Sequence, residues 1–337
     1  MKGILVSVIK YLFFIAIGVS LLLLAFRGLA FNELWEELKT ANYWWFLGAI
    51  ILAIMSHVFR ALRWNLLIGQ MGYKTRVSTT FYALMMGYLA NLALPRLGEV
   101  TRCGFLGKKE KIPFNALFGT VIAERVFDLV VLFFIIAVVV FSQIQKIGGF
   151  LNELLIEPLL GVYSGNFVAI LIVLTILIVL IFGSIIVFRK LKPWLKTTLL
   201  YQKLESFIDG FMEGLKSIRK LKQRSLFLFH TFVIWLLYLL MIILPFKAFP
   251  ETSHLTFFDG VTVLGIGSLG IVVPVPGGIG SYHFVITEVL SQLYEIPVKV
   301  AAAFATANHA TQTIMFIIVG SVSYILLIFV KTKASNE

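Results

Sequence analysis

The sequence predicts an all-α polytopic membrane protein, with about six full spans and two re-entrant hairpins arranged as an inverted repeat. Three observations predict it. Of the 337 residues, 59% are hydrophobic and only 14% charged, more apolar surface than a soluble domain of this size can bury. Several apolar runs exceed the roughly 18 residues that mark a membrane-spanning helix, and none shows the alternation of a membrane barrel. Basic residues gather in some links between the runs and not in others, as the positive-inside rule requires.

Taken in order, the first run, Ile4 to Phe26, is too long for a signal peptide. No small-residue cleavage site follows Arg27, so it reads as a retained first helix. Further spans fall near 43–68, 115–141, 166–188, 225–248 and 298–330. The link at about 189–224 is basic and amphipathic, which places it in the cytoplasm, lying on the membrane surface or docking a partner protein. The N-terminus (Lys2, Lys10), the 69–77 link (Lys74, Arg76) and the tail (Lys331, Lys333) share that side. Both termini are then cytoplasmic, and the more acidic loops near 27–42 and 142–165 lie outside.

The formal charge of +12 does not point to nucleic acid, because the basic residues lie between spans and not in a soluble module. Attraction to anionic lipid head groups explains them. A lone cysteine, Cys103, excludes disulfides within the chain and thiolate metal clusters. The histidines are scattered and no HExxH spacing occurs, so neither a metal nor a cofactor is expected.

Two segments do not fit simple crossings. One, 78–112, begins "STTFYALMMGYLANLALPRLGEVTR" and has basic flanks at both ends. The other, 256–297, holds "LGIGSLGIVVPVPGGIGSYH", with Gly277, Gly278 and Gly280 at its apex. Gly and Pro free backbone groups that only protein or a watery cavity can satisfy at membrane depth. Each segment reads as a hairpin, the two entering from opposite sides; ordinary kinked spans are the alternative. Each is followed by an Ile-Pro pair and a long span. Aligned from Ile112-Pro113 and Ile296-Pro297, Glu124 matches Asn308, Arg125 matches His309 and Asp128 matches Gln312. Both triplets sit about 10 residues into their spans, about 15 Å deep at 1.5 Å per residue, near the bilayer midplane. Repeat 1 covers about 78–141 and repeat 2 about 256–330, the pattern of an inverted-repeat transporter.

Charges at membrane depth are costly and need partners. Glu124 and Asp128 share a helix face at i, i+4, with Arg125 about 100° away. Arg96, Glu99 and Arg102 stand near the first apex, with Asn91 one turn before Pro95. Arg60 and Arg63 lie toward the cytoplasmic end of their span, where they either snorkel or line a site. Glu124 and Arg125 either pair structurally with an arginine of the hairpin or face a ligand. His57 reads as an interhelical hydrogen bond before a proton relay. His283 and His309 are titratable, with nothing beyond their type to mark a proton path. Arginines outnumber acids near the apices, and guanidinium groups match phosphate oxygens bidentately. A midplane cavity lined by Arg96, Arg102 and Arg125, with Asn308 and Gln312 opposite, suits an anionic head group.

The stretches "RALRW" (60–64), "NLALPRLGEVTR" (91–102), "ERVFD" (124–128) and "PVPGGIG" (274–280) together resemble the membrane region of lysylphosphatidylglycerol synthases, a flippase-like family of bacteria and archaea. The resemblance covers nearly the whole chain. It implies an integral protein of the cytoplasmic (inner) membrane that moves phospholipids, such as aminoacylated phosphatidylglycerol, between leaflets. Some archaeal relatives are associated with lipid-linked glycan assembly. Many relatives carry Glu where this chain has His283, which puts head-group preference and proton coupling in question. No aminoacyl-transferase domain follows the last span, so the synthase activity is not expected here.

Two functions follow as expectations. One is a flippase for an anionic or phosphate-bearing lipid, acting without catalysis. The other is a membrane glycosyl- or phospho-transferase on a polyprenyl-phosphate-type lipid, with Glu99 or Asp128 as base, or an accessory subunit of such a system. The absence of an Asp-rich metal motif or nucleotide-binding glycine loop disfavours the enzyme.

Overall fold

The computed structural model describes residues 2–142 and 221–330. Apart from residues 140–142, which begin a second unit of 140–216, they belong to a compact unit of 1–139 and 217–337. The span expected at 166–188, the loop at 142–165 save its first residue, and the basic segment at 189–224 save its last four, lie outside the described residues.

Ten α-helices carry the described residues: α1 Lys2–Ala25, α2 Phe31–Thr40, α3 Tyr43–Gln70, α4 Val77–Ala93, α5 Leu97–Glu110, α6 Phe114–Ser142, α7 Arg224–Phe246, α8 Phe257–Val272, α9 Ser281–Glu288 and α10 Val298–Phe329. Three of them, α3, α7 and α10, are long and apolar enough to cross a bilayer. α6 has the length, 29 residues, but carries Glu124, Arg125 and Asp128. The chain is a multi-pass helical membrane protein, and α3 shows why its helices suit lipid. Leu47, Ile51, Met55 and Val58 form an exposed apolar stripe on one face. The opposite face buries Ala49, Ala53, His57, Arg60 and Arg63. The usual soluble arrangement is reversed, with apolar side chains outward and polar ones inward.

The stretch near 27–42, expected as a loop, contains α2. Its apolar residues Phe31, Leu34, Trp35 and Leu38 recur at helical spacing, and Glu33 Oε2 accepts the Ala30 N–H at 3.4 Å at its start. Lys299 of α10 ties it down through Glu37 at 2.6 Å.

Both segments singled out in the sequence are helical hairpins. α4 and α5, of 17 and 14 residues, meet at a three-residue turn in which Arg96 is left-handed (φ 64°). α8, of 16 residues, leads through a 3-10 turn at Pro276–Gly278 into α9 and a π-turn at Val289–Leu293. Each arm is shorter than the about 20 residues a full crossing needs. The two hairpins also end alike. Lys111 (φ 57°) precedes Ile112-Pro113, and Glu295 (φ 56°) precedes Ile296-Pro297. Ile112 N–H donates to Gly107 O at 3.2 Å, and Ile296 N–H to Leu290 O at 3.1 Å. A long helix follows each time.

The largest apolar core joins α3, α7 and α10 through Phe46, Phe246, Phe249 and Phe304. Five consecutive small or apolar residues, Ala301 to Ala305 with Phe304 among them, are completely buried there, which lets α10 approach closely. A second core packs α3 on α5 and α6 through Trp64, Ile68, Cys103, Leu106 and Leu117. The two hairpin tips touch: a Cβ on Gly277 would lie 3.2 Å from Leu92 Cδ2.

Candidate functional site

The i, i+4 spacing on α6 delivers Glu124 and Asp128 to one face, and that face meets α3. Glu124 Oε1 accepts from Arg60 Nη2 at 2.8 Å and from Arg63 Nη2 at 3.0 Å. Its second oxygen, Oε2, lies 3.1 Å from Arg102 Nη2 on α5. Asp128 faces Arg63 at 2.7 Å and Arg60 at 3.4 Å. α7 closes the cluster from the other side: Arg60 donates to Tyr238 Oη at 2.9 Å and Arg63 to Thr231 Oγ1 at 3.1 Å. Trp64 forms a floor. Its ring centroid lies 4.7 Å from the Arg102 guanidinium carbon, and its Nε1–H donates to Thr120 Oγ1 at 2.8 Å.

This geometry decides between the alternatives left open by the sequence. Arg60 and Arg63 do not snorkel; they are 4% and 0% exposed, because α7 covers them and both acids lie inward. Glu124 pairs with the hairpin's Arg102, whereas Arg125 lies off the face that carries Glu124 and Asp128. It points about 100° away, as the spacing requires, and binds Glu99 Oε1 at 2.9 Å on α5. His57 makes no interhelical hydrogen bond: both ring nitrogens are buried without a partner among the described residues. It packs instead against Tyr88 and Phe316, with centroids 4.5 and 5.5 Å apart, because apolar helix faces surround it.

A shallow crevice opens beside the cluster, lined by Leu84, Gly87, Tyr88, Asn91, Gly98, Glu99, Arg102 and Arg125. Asn91 shapes it by accepting the Gly98 N–H on Oδ1 at 2.6 Å. Gly98 is needed there, since a Cβ would stand 2.2 Å from Gly87 O. Arg96 is exposed at the turn and is not among the lining residues. Two guanidinium groups, Arg102 and Arg125, and the Glu99 carboxylate thus share its wall.

The second hairpin builds a separate polar group under its own tip. Gly277, Gly278 and Gly280 all have positive φ. His309 Nε2–H donates to Gly277 O at 2.9 Å, which leaves its Nδ1 to accept from Thr313 Oγ1 at 3.4 Å. His283 Nδ1 accepts the Gly280 N–H at 3.4 Å, and its ring lies 4.7 Å from that of His309. Asn308 Nδ2 donates to Tyr282 Oη at 2.6 Å. Gln312 is half-buried and joins neither pair. Asn308, His283 and His309 are therefore grouped around the second tip, apart from the cluster of acids and arginines by the first hairpin.

Sequence reasoning missed Tyr238, Thr231, Tyr88 and Trp64. Trp64 stood in the quoted "RALRW" stretch; the others are single polar groups inside apolar runs, with no spacing that marks them.

The chain matches the family described as lysylphosphatidylglycerol synthase TM region over residues 9–320. Among curated proteins it is similar to the UPF0104 membrane protein MJ1595 of Methanocaldococcus jannaschii, 31% identical over 40% of this chain and 38% of that protein. It is similar to Glycosyltransferase AglD of Haloferax volcanii, 22% identical over 86% of this chain and 50% of that protein. A third relative, the UPF0104 membrane protein PH1989 of Pyrococcus horikoshii, is 25% identical over 88% of this chain and 90% of its own length. The chain thus spans half or less of the first two. No solved structure matches the chain.

Proposed function

The chain belongs to the lysylphosphatidylglycerol synthase TM region family, and from that premise we propose that it is a lipid flippase. Its substrate is an anionic or phosphate-bearing lipid that passes between leaflets with its head group in the arginine-lined crevice between the first hairpin and α6. One observation carries this reading: three arginines and two acids share a buried ion-pair network, with the Glu99–Arg125 pair beside it, inside helices whose outer faces are apolar. A purely structural network has no use for a crevice at its edge, with Arg102 and Arg125 on its wall. The matched hairpins support an inverted repeat whose two halves enter from opposite leaflets. In this reading the protein sits in the cytoplasmic membrane with both termini in the cytoplasm.

The test is a leaflet-accessibility assay in proteoliposomes carrying a labelled anionic phospholipid. Wild-type protein exposes inner-leaflet label to an external quencher, and Arg125→Ala abolishes that exposure while expression and folding persist. Wild-type transport in the mutant sinks the reading.

The likeness to a relative named a glycosyltransferase favours one second reading, a transferase acting on a polyprenyl-phosphate-type lipid. Glu99 would serve as its base, being the acid on the crevice wall. The same vesicles decide: chemical conversion of the lipid supports the transferase.

A further inference from the structure

α2 has an apolar side that the protein covers only in part. At about 100° per residue, Leu34 and Leu38 line one flank, Phe31 and Trp35 the adjoining flank, and Glu33, Glu36 and Lys39 the far side. Leu34 is buried in the core shared with α3, α7 and α10, and Leu38 packs against that core. Glu37 reaches Lys299 in the first turn of α10. Phe31 and Trp35, in contrast, are 76% and 52% exposed. Two links fix the height of this uncovered flank. Only Ala41 and Asn42 separate α2 from α3, and the lipid-facing stripe of α3 begins at that link. Trp44, 78% exposed, shares a face with Leu47, Ile51, Met55 and Val58. The Asn42 N–H donates to Ala248 O at 3.0 Å, just past the end of α7. Exposed aromatic residues continue round this end of the bundle, with Tyr43 and Trp45 on α3 and Phe257 and Phe258 opening α8. Tyr and Trp gather where a bilayer meets water.

We propose that α2 is an interfacial anchor whose partner is the bilayer surface: the helix lies along the membrane, with Phe31 and Trp35 at the boundary of head groups and acyl chains and Glu33 and Glu36 in water. Amphipathic helices of this kind sink their apolar face about 5–10 Å into that boundary. The uncovered flank continues the lipid-facing stripe of α3, and a two-residue link leaves α2 no room to stand clear of the membrane. Lys39 marks the waterline, its Nζ 2.8 Å from Glu36 Oε1 and 5.8 Å from the Trp35 ring centroid. The far side carries two acids against one base, so attraction to anionic lipid contributes little and the apolar flank supplies the binding. Leu34, Leu38 and the Glu37–Lys299 pair fasten the anchor to α10. The depth of α2 in the lipid therefore sets the height of the helix that carries Asn308 and His309. None of this depends on whether the chain moves lipid or modifies it.

The test uses the full-length protein in phosphatidylcholine nanodiscs, with a nitroxide label on Phe31→Cys, Trp35→Cys or Glu36→Cys. Cys103 is buried and stays unlabelled, with labelling of the wild type as the blank. Each label is read by its collisions with oxygen, which concentrates among acyl chains, and with a water-soluble nickel chelate. Labels at 31 and 35 should favour oxygen and sit below the phosphate level, while the label at 36 should favour nickel. Nickel access at 31 and 35 equal to that at 36 overturns the proposal. Shielding of 31 and 35 from both reagents overturns it too, because protein then covers the flank. A second measurement tests the anchoring itself. Replacing both aromatic residues, Phe31→Ser with Trp35→Ser, should speed amide hydrogen exchange over 31–40 several-fold in nanodiscs and leave 301–305 unchanged. Unchanged exchange over 31–40 means that packing on α10 alone holds the helix, and the anchor falls.

Discussion

Arg63 clasps Asp128 with both arms of its guanidinium, Nη1 to Oδ1 at 2.7 Å and Nη2 to Oδ2 at 3.0 Å. The arginine side chain is fully buried and the aspartate 15% exposed. Removing one partner strands the other's charge inside the protein, a loss of about 3–5 kcal/mol for a buried pair. Arg63→Ala and Asp128→Ala should each lower stability in detergent by roughly that amount. The double variant should lose less than the sum, because it leaves fewer orphans. Unfolding midpoints of the four proteins test this; strict additivity would show that the two residues are not coupled.

The contact between these residues was half legible in the sequence. The helical spacing set Glu124 and Asp128 on one face and turned Arg125 away, and the structure has the same division, since Arg125 meets Glu99. The partners on α3 were not assignable, because a span's charge pattern does not reveal which neighbour covers it. Snorkelling and burial of Arg60 and Arg63 looked alike until α7 was in place. Tyr238 lies 178 residues from Arg60, in a run with nothing polar to single it out. The breaks between α4 and α5 and between α8 and α9 were legible for the opposite reason: Gly and Pro at a turn are local signals.

The end of each hairpin offers a test of the repeat. Lys111 and Glu295 are exposed non-glycine residues at nearly equal positive φ, each just before an Ile-Pro pair. The left-handed conformation costs an L-residue about 1–2 kcal/mol, partly offset in a glycine variant by the larger entropy of the unfolded chain. Lys111→Gly and Glu295→Gly should therefore each stabilise the protein, by about 1 kcal/mol or less, and by similar amounts. The double variant should show the sum. A gain at one position and a loss at the other would contradict the shared geometry.

Gly280 packs the second tip against α1. A Cβ there would stand 1.9 Å from Gly18 O, and φ is +86°. Backbone cannot yield as a flexible side chain can, so Gly280→Ala should cost more than the roughly 1–3 kcal/mol of the backbone conformation alone. Gly278 is the control, with φ +75° but nothing closer to its Cβ than His309 Nε2 at 3.9 Å. Thermal unfolding of Gly278→Ala should show only the conformational part. Equal losses for the two variants would mean that the contact with α1 contributes nothing.

Glu99 and Arg125 separate the roles of charge and position at the crevice. Their pair is 22% and 44% exposed, and exposed pairs are worth about 0–1 kcal/mol, so single alanine variants should fold almost as well as wild type. Arg125→Ala nevertheless removes one of the two guanidinium groups from the crevice wall, and with it the leaflet exchange of an anionic phospholipid. Exchanging the two, Glu99→Arg with Arg125→Glu, restores the charge balance of the pair while moving the cation from α6 to α5. Leaflet exchange by the swapped protein should recover most of the activity lost in Arg125→Ala. If it stays lost, the head group is recognised by a guanidinium at one place on α6, and net charge does not govern the choice.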